Sequence, residues 1–264
     1  RADGQGWIED PSNRDGRYAR VKMRARVADL ESAGIPAASI AATAHLFGRL
    51  RAENDRRVAA AAAAAVSVFD EGYAEIAGEA FVGATDEATA RRLMSNLIRT
   101  VGGGAYPVRR ERLARAFDLV RGGDLRRPRT LGNCVIAPMA DGFRIYREPG
   151  TVTDVRDLAA GLACRWDARF DIEAGIPSDR TARGLQIRKL GETGWQSIAK
   201  GAESERTARI PGPVRFSLPA VWHGDRVEEV PHIGWRRDPG IDKLVRSAKF
   251  RGNVPFSDRV FWVA

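Results

Sequence analysis

The sequence predicts an α+β protein, with a mainly helical N-terminal half followed by a β-rich C-terminal domain. Three observations lead there. Between residues 18 and 122, apolar side chains recur at helical spacing and the segments end in glycines. From residue 126 onward the apolar runs shorten, favour β-branched and aromatic residues, and alternate with Gly, Pro and Trp. The 264 residues, 44% hydrophobic and 29% charged, are enough for one large or two ordinary globular domains.

Taken in order, residues 1–17 are rich in Gly, Asp, Asn and Arg and suit a loop. A helix is expected from Tyr18, with Val21, Met23, Val27 and Leu30 as its apolar stripe and Gly34 and Pro36 as its stop. A second helical region runs from about Ile40 to Phe69, with Leu46, Leu50 and Val58 at helical spacing. Its run Ala59 to Ala65 has the highest helix propensity available and lets a neighbour approach closely. Residues around Tyr73 to Val82 suggest a short extended piece. Thr85 is the expected N-cap of the next helix, with Asp86 and Glu87 in its first turn and Leu93, Leu97, Ile98 and Val101 on its apolar face. Gly102-Gly103-Gly104 ends it, and a further helix from Arg109 to Val120 ends at Gly122-Gly123. Thr130 to Ala137 and Phe143 to Arg147 are expected strands about a turn at Ala140-Asp141-Gly142. Shorter strands are expected near Val155, Phe170–Ile172, Leu185–Lys189, Val221–Trp222, Val227–Val230 and Val260–Val263. Helical turns are expected at Trp195–Lys200 and Pro213–Leu218, and Ala202 to Ala208 is polar enough for disorder.

The formal net charge is +9, and arginine far outnumbers lysine. That sign suits a polyanionic partner, nucleic acid before a membrane surface, because no strongly basic amphipathic helix stands out. No apolar run approaches the roughly 20 residues of a membrane span, and charged residues interrupt the first thirty positions, as no signal peptide would allow. With only Cys134 and Cys164, a disulfide framework is not expected and a reducing cytoplasm is the simplest compartment. His45, His223 and His232 lack metal-ligand spacing, so no metal site is expected. The glycine triplet lacks the Lys and Ser/Thr of a phosphate cradle and closes a helix where a cradle would open one.

Arg126-Arg127-Pro128-Arg129 concentrates guanidinium groups at the helical-to-β transition, where Arg126, Arg127 and Arg129 either grip a phosphate backbone or decorate a solvated linker. Trp166, Trp195, Trp222, Trp235 and Trp262 offer rings for stacking on unpaired bases, although core packing is the commoner use of each. The densest chemistry lies at the start. Asp10-Pro11-Ser12-Asn13 is a turn sequence, since Asp and Asn bond their own backbone and Pro fixes φ. Arg20 and Arg24 then fall four residues apart on one helix face. Carboxylate, amide and guanidinium together suit a phosphate or nucleotide site; a capped surface helix with solvated charges would have the same residues.

Trp7-Ile8-Glu9-Asp10-Pro11-Ser12-Asn13, followed by Asp15, Tyr18, Arg20, Arg24 and Arg26, closely resembles the segment that closes the catalytic domain of tRNA(Ile)-lysidine synthetases. Many members carry Asn directly after the first of these arginines, where this chain has Val21. Downstream, Thr130-Leu131-Gly132-Asn133-Cys134, Tyr146-Arg147-Glu148-Pro149, Trp166-Asp167-Ala168-Arg169-Phe170 and Leu218-Pro219-Ala220-Val221-Trp222 are similar to later family segments. The resemblance implies a ligase that adenylates the wobble cytidine of the CAU-anticodon isoleucine tRNA with ATP and Mg2+, after which L-lysine displaces AMP to form lysidine. It also implies that this chain is a C-terminal portion, because the family's Ser-Gly-Gly-x-Asp-Ser loop for ATP is missing from the 264 residues. Residues 1–33 would then close the catalytic domain, 34–125 form a helical tRNA-binding domain, and 126–264 form the β-rich C-terminal domain. Arg20 and Arg24 would be catalytic, Asp10 and Asn13 would line the nucleotide or anticodon rim, and Arg26, Arg126, Arg127 and Arg129 would bind tRNA. The alternatives are a free-standing basic RNA-binding module and a structural or protein-interaction domain whose charge is incidental.

Overall fold

The computed structural model describes residues 19–83, 86–175 and 184–252. The chain is α+β, helical first and strand-rich later. Two compact units divide between Asn54 and Asp55.

The first unit holds α1 (Ala19–Ser32) and the first half of α2 (Ala37–Ala65). Gly34, at φ +84°, makes the left-handed turn between them. The expected apolar stripe of α1 does not form a core, since Met23 and Leu30 are exposed. The same holds for Leu46, Phe47 and Leu50 on α2. Burial begins farther along that helix, at Val58, Ala61, Ala62 and Ala65, where small side chains let the helix lie close to its neighbours. The helical region also ends earlier than Phe69. From Val66 the alternating β-branched residues form β1 (Val66–Phe69), which turns back through Gly72 into β2 (Tyr73–Ala77).

The expected extended piece stops at Ala77, and α3 (Gly78–Gly83) follows. Then come α4 (Glu87–Gly102) and α5 (Arg110–Arg121). Asp86 caps α4, accepting from the Thr89 backbone N–H at 2.9 Å; the expected cap, Thr85, lies outside the described residues. The predicted strand Thr130–Ala137 is in fact a hairpin, β3 (Arg129–Leu131) and β4 (Cys134–Met139). Gly132 and Asn133 between them both have positive φ, 59° and 62°, the pairing that a two-residue type I′ turn demands. β5 (Gly142–Arg147) completes an antiparallel sheet ordered β1-β2-β5-β4-β3. Two strands of this sheet come from before residue 125 and three from after it, so it crosses the expected boundary at 125/126.

The remaining chain supplies β6 (Arg156–Asp157), β7 (Ala163–Trp166), β8 (Phe170–Ala174), β9 (Leu185–Lys189), α6 (Gly191–Ile198), α7 (Glu205–Arg209), α8 (Gly212–Arg215), β10 (Pro219–His223), β11 (Arg226–Val230), β12 (Trp235–Arg236) and β13 (Val245–Phe250). α7 occupies the stretch expected to be disordered; Ser204 caps it by accepting from the Thr207 N–H, and Thr207 is buried beneath. The expected strand Val260–Val263 lies outside the described residues. These strands form a sheet ordered β12-β11-β10-β9-β6 and a smaller one ordered β13-β8-β7.

Period-two alternation explains how the layers stack. Ala74, Ile76, Ile136 and Ile145 face a core made with α3, α4 and α5, while Tyr73, Val135 and Tyr146 face the opposite side. That second core also takes Leu190, Ile198, Ile210, Leu218 and Trp222. Val221, between Ala220 and Trp222 on β10, points the other way, into a third core with Trp166, Phe170, Ile172 and Phe250. Each large side chain withdrawn from water in these cores contributes roughly 1.5–3 kcal/mol.

Candidate nucleic-acid interface

The most suggestive polar surface lies where α5 passes the edge strand β3. The pairing of α5 with the sheet is set by close backbone approach. A side chain at Gly102, the end of α4, would collide with the Gly132 carbonyl oxygen, and a Cβ on Gly132 would come within 2.5 Å of Val108 and 2.6 Å of Ile98. Val108 thereby holds the start of α5 against the β3–β4 turn. α5 buries Phe117 and packs Leu113, Ala116 and Val120 against the core. Its other side presents Arg109, Arg112 and Arg115 to solvent, the last two a single turn apart.

Arg112 and Arg115 share a cleft of about 600 Å³ with Arg129, Thr130, Leu119 and Glu148. Among the described residues no hydrogen bond or ion pair occupies the guanidinium of Arg112, Arg115 or Arg129. Nearby arginines are committed elsewhere. Arg91 pairs with Glu87 at 2.9 Å, Arg121 pairs with the same carboxylate, and Arg144 pairs with Glu75 at 2.6 Å. Three guanidinium groups around one concave strip can form forked bonds to phosphate oxygens while staying hydrated until the partner arrives. Tyr106, in the loop before α5, is 86% exposed.

Of the residues singled out by sequence, Arg129 alone joins this cleft. Arg126 and Arg127 precede β3 and are exposed, with Asp124 at 3.9 Å from Arg126. Arg20 and Arg24 both lie on α1, in the other compact unit; Arg24 is exposed, and the Arg20 side chain is outside the described set. Arg26 is exposed and lies 3.7 Å from Asp29. Asp10 and Asn13 lie outside the described residues. Arg112 and Arg115 were readable in principle, because they fall on the polar side of a helix whose apolar side was recognised.

The described tryptophans do not offer free rings, and Trp262 lies outside the described residues. Trp166 is fully buried and donates to the Asp154 carbonyl at 3.0 Å. Arg188 covers Trp222 at 4.2 Å, Arg215 covers Trp195 at 4.7 Å, and Arg237 lies 5.8 Å from the Trp235 ring centroid. A ring whose face already holds a cation is poorly placed to stack on a base.

Acid–base chemistry has little to work with in the described residues. Burial pushes the Cys134 thiol up to about 12, and its sulfur bonds the Ile98 carbonyl at 3.3 Å. Burial, followed by the charges of Arg206 and Arg169, pushes His232 down to about 3. No group of three or more His, Cys, Asp or Glu able to hold a metal occurs among the described residues, and the sequence has no Ser-Gly-Gly phosphate loop. No described helix is long and apolar enough to cross a membrane.

No family model matches the chain. Curated proteins do. A tRNA(Ile)-lysidine synthase of Ruegeria pomeroyi is 31% identical over 234 residues, covering 89% of this chain and 52% of the relative. One from Rhizobium meliloti is 30% identical over 256 residues, 94% of this chain and 53% of the relative. One from Anaplasma marginale is 25% identical over 246 residues. The chain spans about half the length of the curated relatives it matches, and the match falls in a C-terminal portion of each.

Proposed function

Because this chain is a relative of the tRNA(Ile)-lysidine synthases, over most of its own length and about half of theirs, we propose that it supplies the tRNA grip of such a ligase. In the whole protein, ATP and L-lysine would convert the wobble cytidine of the CAU-anticodon isoleucine tRNA to lysidine. The observation that carries the reading is the cleft of Arg112, Arg115 and Arg129, three guanidinium groups beside an edge strand that make no hydrogen bond or ion pair among the described residues. They would fork to backbone phosphates of the tRNA, while Arg126, Arg127 and Arg26 add longer-range attraction. Such contacts position a substrate without reading its sequence. Selection of the isoleucine tRNA would then depend on groups beyond this cleft. Arg20 and Arg24 would neutralise phosphate charge developing during activation, with Asp10 and Asn13 fixing the turn beside them.

Fluorescence anisotropy with tRNA over a range of salt concentrations tests this. Binding should weaken steeply with salt, and replacing Arg112, Arg115 and Arg129 with Gln should lower the log–log slope by about one for each lost phosphate contact. The same chain should form no lysidine from ATP and lysine by itself. An unchanged slope in the triple variant removes the cleft from the interface, and robust lysidine formation refutes the assignment of activation to a missing portion.

A further inference from the structure

A second cleft, of about 720 Å³, opens between the β1–β2 turn and α7, and none of the chemistry above uses it. Its size falls in the range of roughly 300–1,000 Å³ in which small ligands are held. Phe69 and Tyr73 line it as a stacked pair, ring centroids 4.3 Å apart and planes within 3° of parallel. Arg206 and Arg209 reach it from α7, whose start is fixed by the Ser204 cap. Arg209 has Glu205 at 3.7 Å, but both are exposed and such a pair holds weakly in water. Arg206 makes no hydrogen bond or ion pair among the described residues. Glu71, from the β1–β2 turn, and Ser204 and Glu205, from the start of α7, supply the remaining polar groups.

We propose that this cleft holds one nucleotide unit, with its base against the half-buried Phe69 ring, which is backed by the buried Tyr73, and its phosphate on Arg206 and Arg209. Three features of the lining match parts of that ligand. The flat Phe69 ring, held rigid by its stack on Tyr73, suits the face of a base, and stacking there tolerates different bases because each has a π-face. An uncommitted guanidinium suits a phosphate. The Glu71 carboxyl can accept from an exocyclic amine, which adenine, cytosine and guanine carry and uracil lacks. The inference deepens the tRNA reading and relies on it only for the source of the nucleotide, an unpaired residue of the tRNA. A free nucleotide has the same chemistry.

The test uses a single-stranded tetraribonucleotide carrying 2-aminopurine, whose fluorescence falls on stacking. The full chain should quench it. Phe69→Ala should lose the quench and weaken binding by about tenfold or more. Arg206→Ala, a surface change, should weaken binding while leaving the quench at saturation intact; equal thermal unfolding of this variant and the parent excludes misfolding. Competition by AMP would assign the cleft to free nucleotides, and resistance to AMP would assign it to a strand; either supports a nucleotide unit. No quench by the parent chain, or identical binding by both variants, overturns the proposal. Loss of this signal with tRNA binding retained defeats the cleft alone, and the reverse result defeats the tRNA reading alone.

Discussion

Arg169 is fully buried, and its charge is answered by the single carboxylate of Asp167, at 2.7 Å. Arg147 grips the same carboxylate with two bonds, of 3.0 and 2.9 Å, and also donates to the carbonyls of Asn133 and Thr151. Asp167 and Ala168 adopt φ of 48° and 54° to make this joint, a left-handed pair that costs roughly 1–2 kcal/mol per residue for L side chains. Asp167→Ala leaves two buried guanidiniums without a counter-charge, and urea unfolding should show a loss of about 3–5 kcal/mol. His232 gives a second prediction at this scale. Its folded pKa, about 3, lies below the ordinary value of 6.5, so the neutral ring is favoured in the fold. The stability tied to that neutral ring is complete above pH 6.5 and is lost as pH falls toward 3, at up to about 1.4 kcal/mol per unit. Glu71 and Glu229, both raised by burial, oppose the trend near their own titrations. The parent chain minus His232→Leu, compared by urea unfolding across pH 4–7, should isolate the histidine's slope; identical slopes would assign the acid sensitivity elsewhere. None of this was legible in sequence. Arginine and histidine are ordinarily surface residues, and burial of Arg169 is decided by the Gly72 and Ser217 carbonyls, 97 and 48 positions away.

Single elements were more readable. The 3.6-residue pattern of Leu93, Leu97, Ile98 and Val101 located α4 because one helical face meets one core. Its start was shifted by one residue, from Thr85 to Asp86, since either side chain can cap and only the local backbone chooses. Asp86→Ala removes the acceptor for the Thr89 N–H and hydroxyl, and should lower the unfolding free energy by about 1 kcal/mol in a denaturant titration. The β3–β4 hairpin was missed because apolar residues on either side of Gly132-Asn133 read as one continuous strand. Gly132→Ala should cost more than loss of the cap, because the new methyl meets Val108 and Ile98 and the residue must keep φ at 59°. Thermal unfolding of the two variants side by side checks the order.

At the scale of the whole chain, the helix-then-strand order was legible, and so was the basic surface. The sharing of sheets was not. β1 and β2 look like the tail of a helical domain until β2 pairs with β5, some seventy residues later, and such pairing leaves no local trace. Within α2 the first half is exposed and the second half enters a core. Amide exchange should therefore be orders of magnitude faster at residues 37–52 than in α4, as read by mass spectrometry at neutral pH; equal protection would place the first half of α2 in a cooperative core. The Arg147–Asp167–Arg169 joint touches all three sheets, through β5, the β7–β8 turn and the Ser217 carbonyl before β10. Its consequence is for how the sequence can drift. Loss of Asp167 alone strands two positive charges in the interior, whereas loss of either arginine leaves the other still paired with Asp167, and the three changed together to apolar residues of similar volume can be neutral. Drift that loses the carboxylate first passes through an unstable intermediate, so the order of change is constrained: an arginine can go before Asp167, and Asp167 cannot go before both arginines.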